Sequence, residues 1–137
     1  MIRRVILDTG PLVAFLKQDE SYHAWSVEQF QQIERPLVTC EAVISEACFL
    51  LGQAPAGVQK IYAFLERGDL VLDFTLPANL QRVFNLMHTY RDVPMSLADA
   101  CLVCMAENVP DSRVFTLDRD FQVYRQHRHQ LISVIIS

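Results

Sequence analysis

The sequence predicts an α/β fold, with helices on both faces of a mainly parallel sheet. Short apolar runs typical of buried strands alternate with segments that repeat apolar residues at helical spacing. The 137 residues are 51% hydrophobic and 20% charged, without a low-complexity tract, which suits one globular domain with its own core. We therefore expect a single domain spanning residues 1–137.

In the first part of the chain, three strands are predicted among four helices. A short helix should follow the first strand, because Pro11 suits the first helical position. Gly52 and Gly68 should end the third and fourth helices. The predicted strands are 3–7, 37–39 and 70–72, and the predicted helices are 11–16, 22–33, 40–51 and 58–66.

In the second part, two helices precede two more strands. Pro77 should begin a helix that runs to Tyr90, and Ser96 should cap a helix over 96–108. Apolar runs at 114–117 and 131–136 predict the remaining strands. The order of elements is that of a parallel sheet with helical crossovers.

Four carboxylates occupy positions from which this fold could bring them together: Asp8, Glu46, Asp99 and Asp118. Asp8 and Asp118 each follow an apolar strand, at the carboxyl edge where open α/β sheets bind ligands. Glu46 and Asp99 lie in helices with apolar neighbours one turn away, so we expect Glu46 to point along an apolar face.

A shared divalent metal would explain such a cluster. Neighbouring carboxylates raise one another's pKa, and a cation removes the conflict. Mg²⁺ prefers oxygen ligands and keeps several waters, so some of the four acids would act through water, and Mn²⁺ could substitute. Because such a site activates water and neutralises charge on phosphate, phosphodiester hydrolysis is the predicted chemistry.

Each acid also has a structural interpretation. A carboxylate in the first turn of a helix, such as Asp99, is favoured by the helix dipole alone. Asp118 could cap a short helix near Asp120, and Asp8 could shape the turn before the first helix. The position of Glu46 is the hardest to explain by structure. The neighbouring hydroxyls could orient water or phosphate, or simply form local turns and caps: Thr9, Ser96 and Thr116.

Three other motifs point elsewhere but fit poorly. The triplet Asp8-Thr9-Gly10 matches that of aspartic proteases, which are nearly all β, whereas helices dominate here. A phosphatase of the haloacid-dehalogenase type needs a second aspartate at position 10. The pair Cys101 and Cys104 has no partner pair at zinc-finger spacing, so free thiols are expected.

Charge and composition limit the choice of partners and location. The net charge is −4, but setting aside the four candidate ligands leaves 12 acidic against 12 basic residues. Basic residues near Asp118 could form a rim for a phosphodiester substrate or an ordinary solvated surface: Arg113, Arg119, Arg125, His127, Arg128 and His129. No signal peptide or membrane-spanning run is evident, so we expect a cytoplasmic protein without a membrane partner.

Taken together, the acidic motifs resemble the PIN-domain family, specifically VapC-type toxins of toxin-antitoxin pairs. The resemblance covers essentially the whole chain. It rests on the order and spacing of four segments: Val-Ile-Leu-Asp-Thr-Gly at 5–10, Thr-Cys-Glu-Ala-Val-Ile-Ser-Glu-Ala at 39–47, Ser-Leu-Ala-Asp-Ala at 96–100 and Thr-Leu-Asp-Arg-Asp-Phe at 116–121. One departure is Gly10, where many relatives carry Ser or Asn.

The resemblance implies a three-layer α/β/α sandwich and Mg²⁺-dependent cleavage of single-stranded RNA. Homodimerisation and inhibition by a small antitoxin are also implied. On this basis the metal ligands and catalytic residues are Asp8, Glu46, Asp99 and Asp118, with Thr116 as a supporting polar group. The alternative is a PIN-like protein that binds RNA or an antitoxin without metal-dependent turnover.

Overall fold

A five-stranded parallel sheet forms the centre of the fold. The computed structural model describes residues 1–54 and 56–137. The sheet order is β3-β2-β1-β4-β7, and every neighbouring pair is parallel. Its strands are β1 (Val5–Leu7), β2 (Leu37–Thr39), β3 (Leu70–Leu72), β4 (Arg113–Phe115) and β7 (Val134–Ile135). A separate antiparallel hairpin joins β5 (Arg125–Gln126) to β6 (Gln130–Leu131).

Helices connect the strands. Ser96 accepts a hydrogen bond from the Asp99 amide at the start of α6, which confirms the predicted N-cap. Gly68 ends α4 with a left-handed φ of 76°, a conformation that glycine adopts readily. The helices are α1 (Thr9–Leu16), α2 (His23–Gln32), α3 (Glu41–Leu50), α4 (Gly57–Arg67), α5 (Leu80–Thr89) and α6 (Leu97–Asn108), with 3₁₀ turns at Pro77–Asn79 and Arg119–Gln122.

Two apolar cores lie on opposite faces of the sheet, which confirms the three-layer α/β/α arrangement. Along β1, Val5 and Leu7 belong to one core and Ile6 to the other, as the alternation of side chains along a strand requires. The first core includes α1, α2 and α4, and the second is built largely by α5 and α6. Helix α3 contributes to both, through Val43 on one side and Ala47 on the other.

The direction of the connections changes between β1 and β4. From β1 the chain builds β2 and β3 on one side, and it then returns to place β4 on the other. Leu7 is in register with Phe115, so β1 and β4 end side by side. Such a switch point opens a crevice at the carboxyl ends of the strands. Asp8 and Thr116 are the first residues beyond those two ends.

Some predicted boundaries were wrong. β1 begins at Val5 rather than residue 3, because Arg4 has a left-handed φ of 55° that interrupts extended backbone. β4 ends at Phe115, before the residues that turn into the crevice. The predicted strand at 131–136 is divided: Leu131 pairs with Arg125 in the hairpin, whereas β7 pairs with β4. Cys40 precedes α3 as its N-cap instead of lying inside it.

All four cysteines are free thiols, and Cys40, Cys101 and Cys104 are buried among apolar side chains. This confirms that they pack as small apolar residues. Within residues 1–54 and 56–137, none of the helices combines the length and apolar character that crossing a bilayer would require.

Candidate functional site

All four acids predicted from the sequence line one open cavity of about 980 Å³. They come from four separate parts of the chain, brought together at the carboxyl edge of the sheet: the end of β1, the middle of α3, the first turn of α6 and the segment after β4. Asp8 is 6% exposed, Asp99 is half-buried, and Glu46 and Asp118 are exposed. The cavity therefore has a buried acidic floor and an acidic, solvated rim.

Asp8 forms the floor of the cavity, and both of its carboxylate oxygens accept hydrogen bonds. The Thr9 amide donates to Oδ1 at 2.7 Å, where Asp8 caps α1, and the Thr116 hydroxyl donates to Oδ2 at 2.7 Å. Burial is the largest influence on this group and raises its pKa to about 7, with further contributions from the charges of Asp99 and Asp118. The raised pKa means that the surroundings of Asp8 do not fully compensate the negative charge of its ionised form.

Asp99 stands in the first turn of α6, half-buried beside Asp8. The Tyr124 hydroxyl donates to its Oδ2 at 2.8 Å. Burial and the charges of Asp118 and Glu46 together raise the pKa of Asp99 to about 6, against the hydrogen bond from Tyr124. Asp99 shares the cavity lining with those two acids, so their charges act on it.

The apolar residues around Glu46 on α3 are only partly buried. Val43, one turn earlier, is fully buried, whereas Phe49 and Leu50 are 84% and 55% exposed and line the open cavity. The Thr9 hydroxyl donates to Glu46 Oε1 at 2.8 Å. Thr9 thereby links the backbone next to Asp8 to the rim carboxylate.

Asp118 caps the turn that follows it and also lines the cavity. Its Oδ1 accepts a hydrogen bond from the Asp120 amide at 2.9 Å and so caps the 3₁₀ turn, while its side chain lines the cavity. Buried Thr116 orients the segment, because its hydroxyl accepts from the Asp118 amide at 2.9 Å while donating to Asp8. One hydroxyl therefore ties the ends of β1 and β4 together.

The donor set fits a hard divalent cation, although the acids do not form a closed cage. In the described part of the chain, no three His, Cys, Asp or Glu side chains converge tightly enough to form a preassembled metal site. Mg²⁺ keeps several waters and usually meets only one or two carboxylates directly. The buried Asp8 and the half-buried Asp99, both with raised pKa values, are the groups that most need such a charge. Arg119 also lines the cavity, but its Nη2 donates to the Ser137 carbonyl.

Tyr124 is the site residue that sequence reasoning missed. It is fully buried and packs edge-on against Phe121 and Tyr90, so its aromatic ring alone would suggest a core role. Only the fold shows that its hydroxyl reaches Asp99, 25 residues earlier in the chain. A buried tyrosine hydroxyl needs a partner, but the sequence does not indicate which one.

Comparisons with known proteins agree with this architecture. The family model described as "PIN domain" matches residues 5–126. Among solved structures, the chain is similar to VapC20 of Mycobacterium tuberculosis, described as a toxin that cleaves the sarcin-ricin loop. The TM-score is 0.78 at 13% sequence identity, covering 92% of this chain and 98% of that one. At this identity the likeness shows a shared fold. No curated protein matches the sequence.

Proposed function

Because this chain belongs to the PIN domain family, we propose that it is a metal-dependent endoribonuclease that hydrolyses phosphodiester bonds of single-stranded RNA. The observation that carries the proposal is the convergence of Asp8, Glu46, Asp99 and Asp118 on one cavity at the switch point of the sheet. These four residues are the proposed catalytic groups and metal ligands.

Asp8 and Asp99 would hold the metal, and the two exposed acids, Glu46 and Asp118, would act mainly through water. Asp8 and Asp99 are fixed by Thr116 and Tyr124, which leaves them pointing into the cavity in one orientation. When bound, Mg²⁺ or Mn²⁺ would lower the pKa of water and neutralise charge that develops on the phosphate. The exposed oxygens of Glu46 and Asp118 are placed to orient water and accept its proton beside the substrate.

A ribonuclease assay would test this proposal. Wild-type protein should cleave single-stranded RNA with Mg²⁺ or Mn²⁺ and stop when EDTA is added. Asp8→Asn and Asp99→Asn should each lower the rate at least about 100-fold while the far-UV spectrum is unchanged. Asp19→Asn is the matched control, because Asp19 is an exposed acid in the loop after α1, outside the acidic cavity.

Two results would refute the proposed nuclease activity. If RNA binds but is not cut with any divalent metal, the protein is a binding module. If Asp8→Asn cuts as fast as Asp19→Asn, the cavity is not the catalytic site.

The biological role we propose is that of a VapC-type toxin, working as a homodimer and inhibited by a small antitoxin. The likeness to VapC20 supports this role. Exposed Phe49 and Leu50 line the same cavity and supply an apolar surface that a protein inhibitor could cover. Expressed alone, the chain should slow growth, and co-expression with the product of an adjacent antitoxin gene should restore it. Unaltered growth with an active nuclease would exclude the toxin role.

A further inference from the structure

A second cavity, of about 410 Å³, lies between α5 and the β5–β6 hairpin. Three arginines line it, Arg82, Arg125 and Arg128, together with His88 and Tyr90. No Asp or Glu is among the described residues of its lining. In a protein whose net charge is −4, a cavity walled by cationic and neutral side chains is a marked local reversal of charge.

Two of the three guanidinium charges have no carboxylate partner among the residues that the structure describes. Arg82 is compensated, because its Nε and Nη2 donate to the two oxygens of Glu107 at 2.8 and 2.7 Å. Arg125 donates from Nη1 to three backbone carbonyls at 2.9 to 3.0 Å, so its position is fixed while its charge is not neutralised. Arg128 is exposed and has neither a hydrogen bond nor an ion pair with any residue that the structure describes.

The hairpin holds its arginines in place at a conformational cost. His127 and Arg128 have left-handed φ values of 50° and 71°, which side-chain-bearing residues adopt rarely. Two contacts keep the turn in this shape: the His127 amide donates to Glu107, and the Arg125 amide donates to the Tyr90 hydroxyl at 2.9 Å. Positive φ at two successive positions is what a tight hairpin turn requires, so the turn itself fixes where Arg128 is presented.

The basic cavity adjoins the acidic one through a pair of tyrosines. Tyr90 lines the basic cavity, and its ring meets that of Tyr124 edge-on with centroids 5.1 Å apart. The Tyr124 hydroxyl donates to Asp99 in the acidic cavity, and Arg125 is the next residue in the chain. Two packed tyrosine rings therefore link the Asp99 side chain to the lining of the basic cavity, which places the arginines near the acidic cavity.

We propose that the basic cavity is a second phosphate-binding site, which holds the RNA backbone away from the bond that is cut. This inference rests on the proposed nuclease function. The volume of the basic cavity is that of a small-ligand site. Paired guanidinium groups match the geometry of phosphate oxygens. Phosphate contacts set the register of a nucleic acid without reading its bases. The site would therefore select substrates long enough, or suitably folded, to span both cavities.

Inorganic phosphate tests the cavity independently of catalysis. In a titration followed by ¹H–¹⁵N NMR, resonances of His88, Tyr90 and the hairpin should shift in the wild type and hardly move in Arg128→Gln. Arg3→Gln is the matched control, since Arg3 is an exposed arginine just before β1, opposite the carboxyl edge of the sheet. It should behave as the wild type. Equal shifts in both variants, or shifts scattered over the surface, would overturn the proposal.

RNA length provides the second readout. For single-stranded RNA of about 20 nucleotides, Arg128→Gln should raise the Kd about 3- to 10-fold and reduce the slope of log K against log salt by about 0.7. A trinucleotide would occupy the acidic cavity alone, so Arg128→Gln and Arg3→Gln should bind it with equal Kd. The KM of cleavage should follow the same length dependence, with kcat unchanged.

The two proposals fail in different ways. If the wild type does not cleave RNA but Arg128→Gln still weakens RNA binding, the nuclease proposal is wrong and the phosphate site stands. Normal cleavage with no length-dependent difference between the two arginine variants would remove the phosphate site but leave the nuclease. If the hairpin resonances respond to polyglutamate and not to RNA or phosphate, the cavity receives an acidic protein segment and the proposal is wrong.

Discussion

Asp8 is placed where catalysis and stability make opposite demands. Its carboxylate is 6% exposed and lines a cavity with four other acids, Glu46, Asp99, Asp118 and Asp120, and burying a charge without a counter-ion destabilises a fold. Asparagine keeps the shape and removes the charge. In metal-free buffer we expect Asp8→Asn to be more stable than the wild type by about 1–3 kcal/mol, while its nuclease activity is lost.

Urea unfolding in EDTA would measure the difference, with Asp19→Asn again as the control. A less stable Asp8→Asn protein would show that the carboxylate is needed for the fold, so its loss of activity would not identify a catalytic group.

Thr116 connects the two central strand ends through one hydroxyl. Replacing it with valine conserves volume, but leaves Asp8 Oδ2 and the Asp118 amide without their partner. We expect Thr116→Val to lose about 1–3 kcal/mol of stability and about 10- to 100-fold in metal affinity or activity. Thr116→Ser retains the hydroxyl and should recover most of both. If serine fails to rescue activity, the methyl group and not the hydrogen bond is what matters.

At the scale of elements, Glu107 joins α5, α6 and the hairpin. Burial alone would raise its pKa, but the hydrogen bonds from Arg82 and the His127 amide outweigh burial and lower the pKa below its ordinary 4.5. Its ionised form therefore stabilises the fold above about pH 4.5, and this contribution is lost as the pH falls through the lower pKa of the folded state.

The corresponding variant is Glu107→Gln, which leaves Arg82 without its counter-charge. At pH 7 we expect a loss of about 2–4 kcal/mol in urea unfolding, because the pair is largely buried. At pH 3 the gap between variant and wild type should shrink. A gap that is independent of pH would show that shape, not charge, holds the three elements together.

Elements with strong periodicity were predictable, whereas those formed by tertiary pairing were not. The apolar pattern and Ser96 located α6 almost to the residue, since the cap begins the helix and its residues 100–106 are all buried. The run at 131–136 looks like one strand, but it is divided because Leu131 pairs with β5, across a hairpin turn without glycine or asparagine, whereas β7 pairs with β4. The apolar residues near Glu46 could be read from the sequence, but not that Phe49 and Leu50 would line an open cavity instead of a core, because their exposure depends on how α3 packs.

On the scale of the whole molecule, metal and fold should be coupled. A cation that binds the acidic cavity of the folded chain must stabilise it, by about 2.7 kcal/mol at a free concentration 100 times Kd. We expect Mg²⁺ to raise the Tm beyond NaCl of equal ionic strength, and Asp99→Asn to reduce the shift. Equal shifts in wild type and Asp99→Asn would mean that the ion binds elsewhere.

The hydrogen bond between Thr116 and Asp8 spans 108 positions of the chain. During synthesis, nearly the entire polypeptide must leave the ribosome before this contact can form, and the later strand that carries it must insert beside the earliest one. Partial products that end before Thr116 therefore lack an assembled centre, and a cut between Asp8 and Thr116 leaves the two halves of this contact without a covalent link. The proposed catalytic centre would thus be completed late and as a whole.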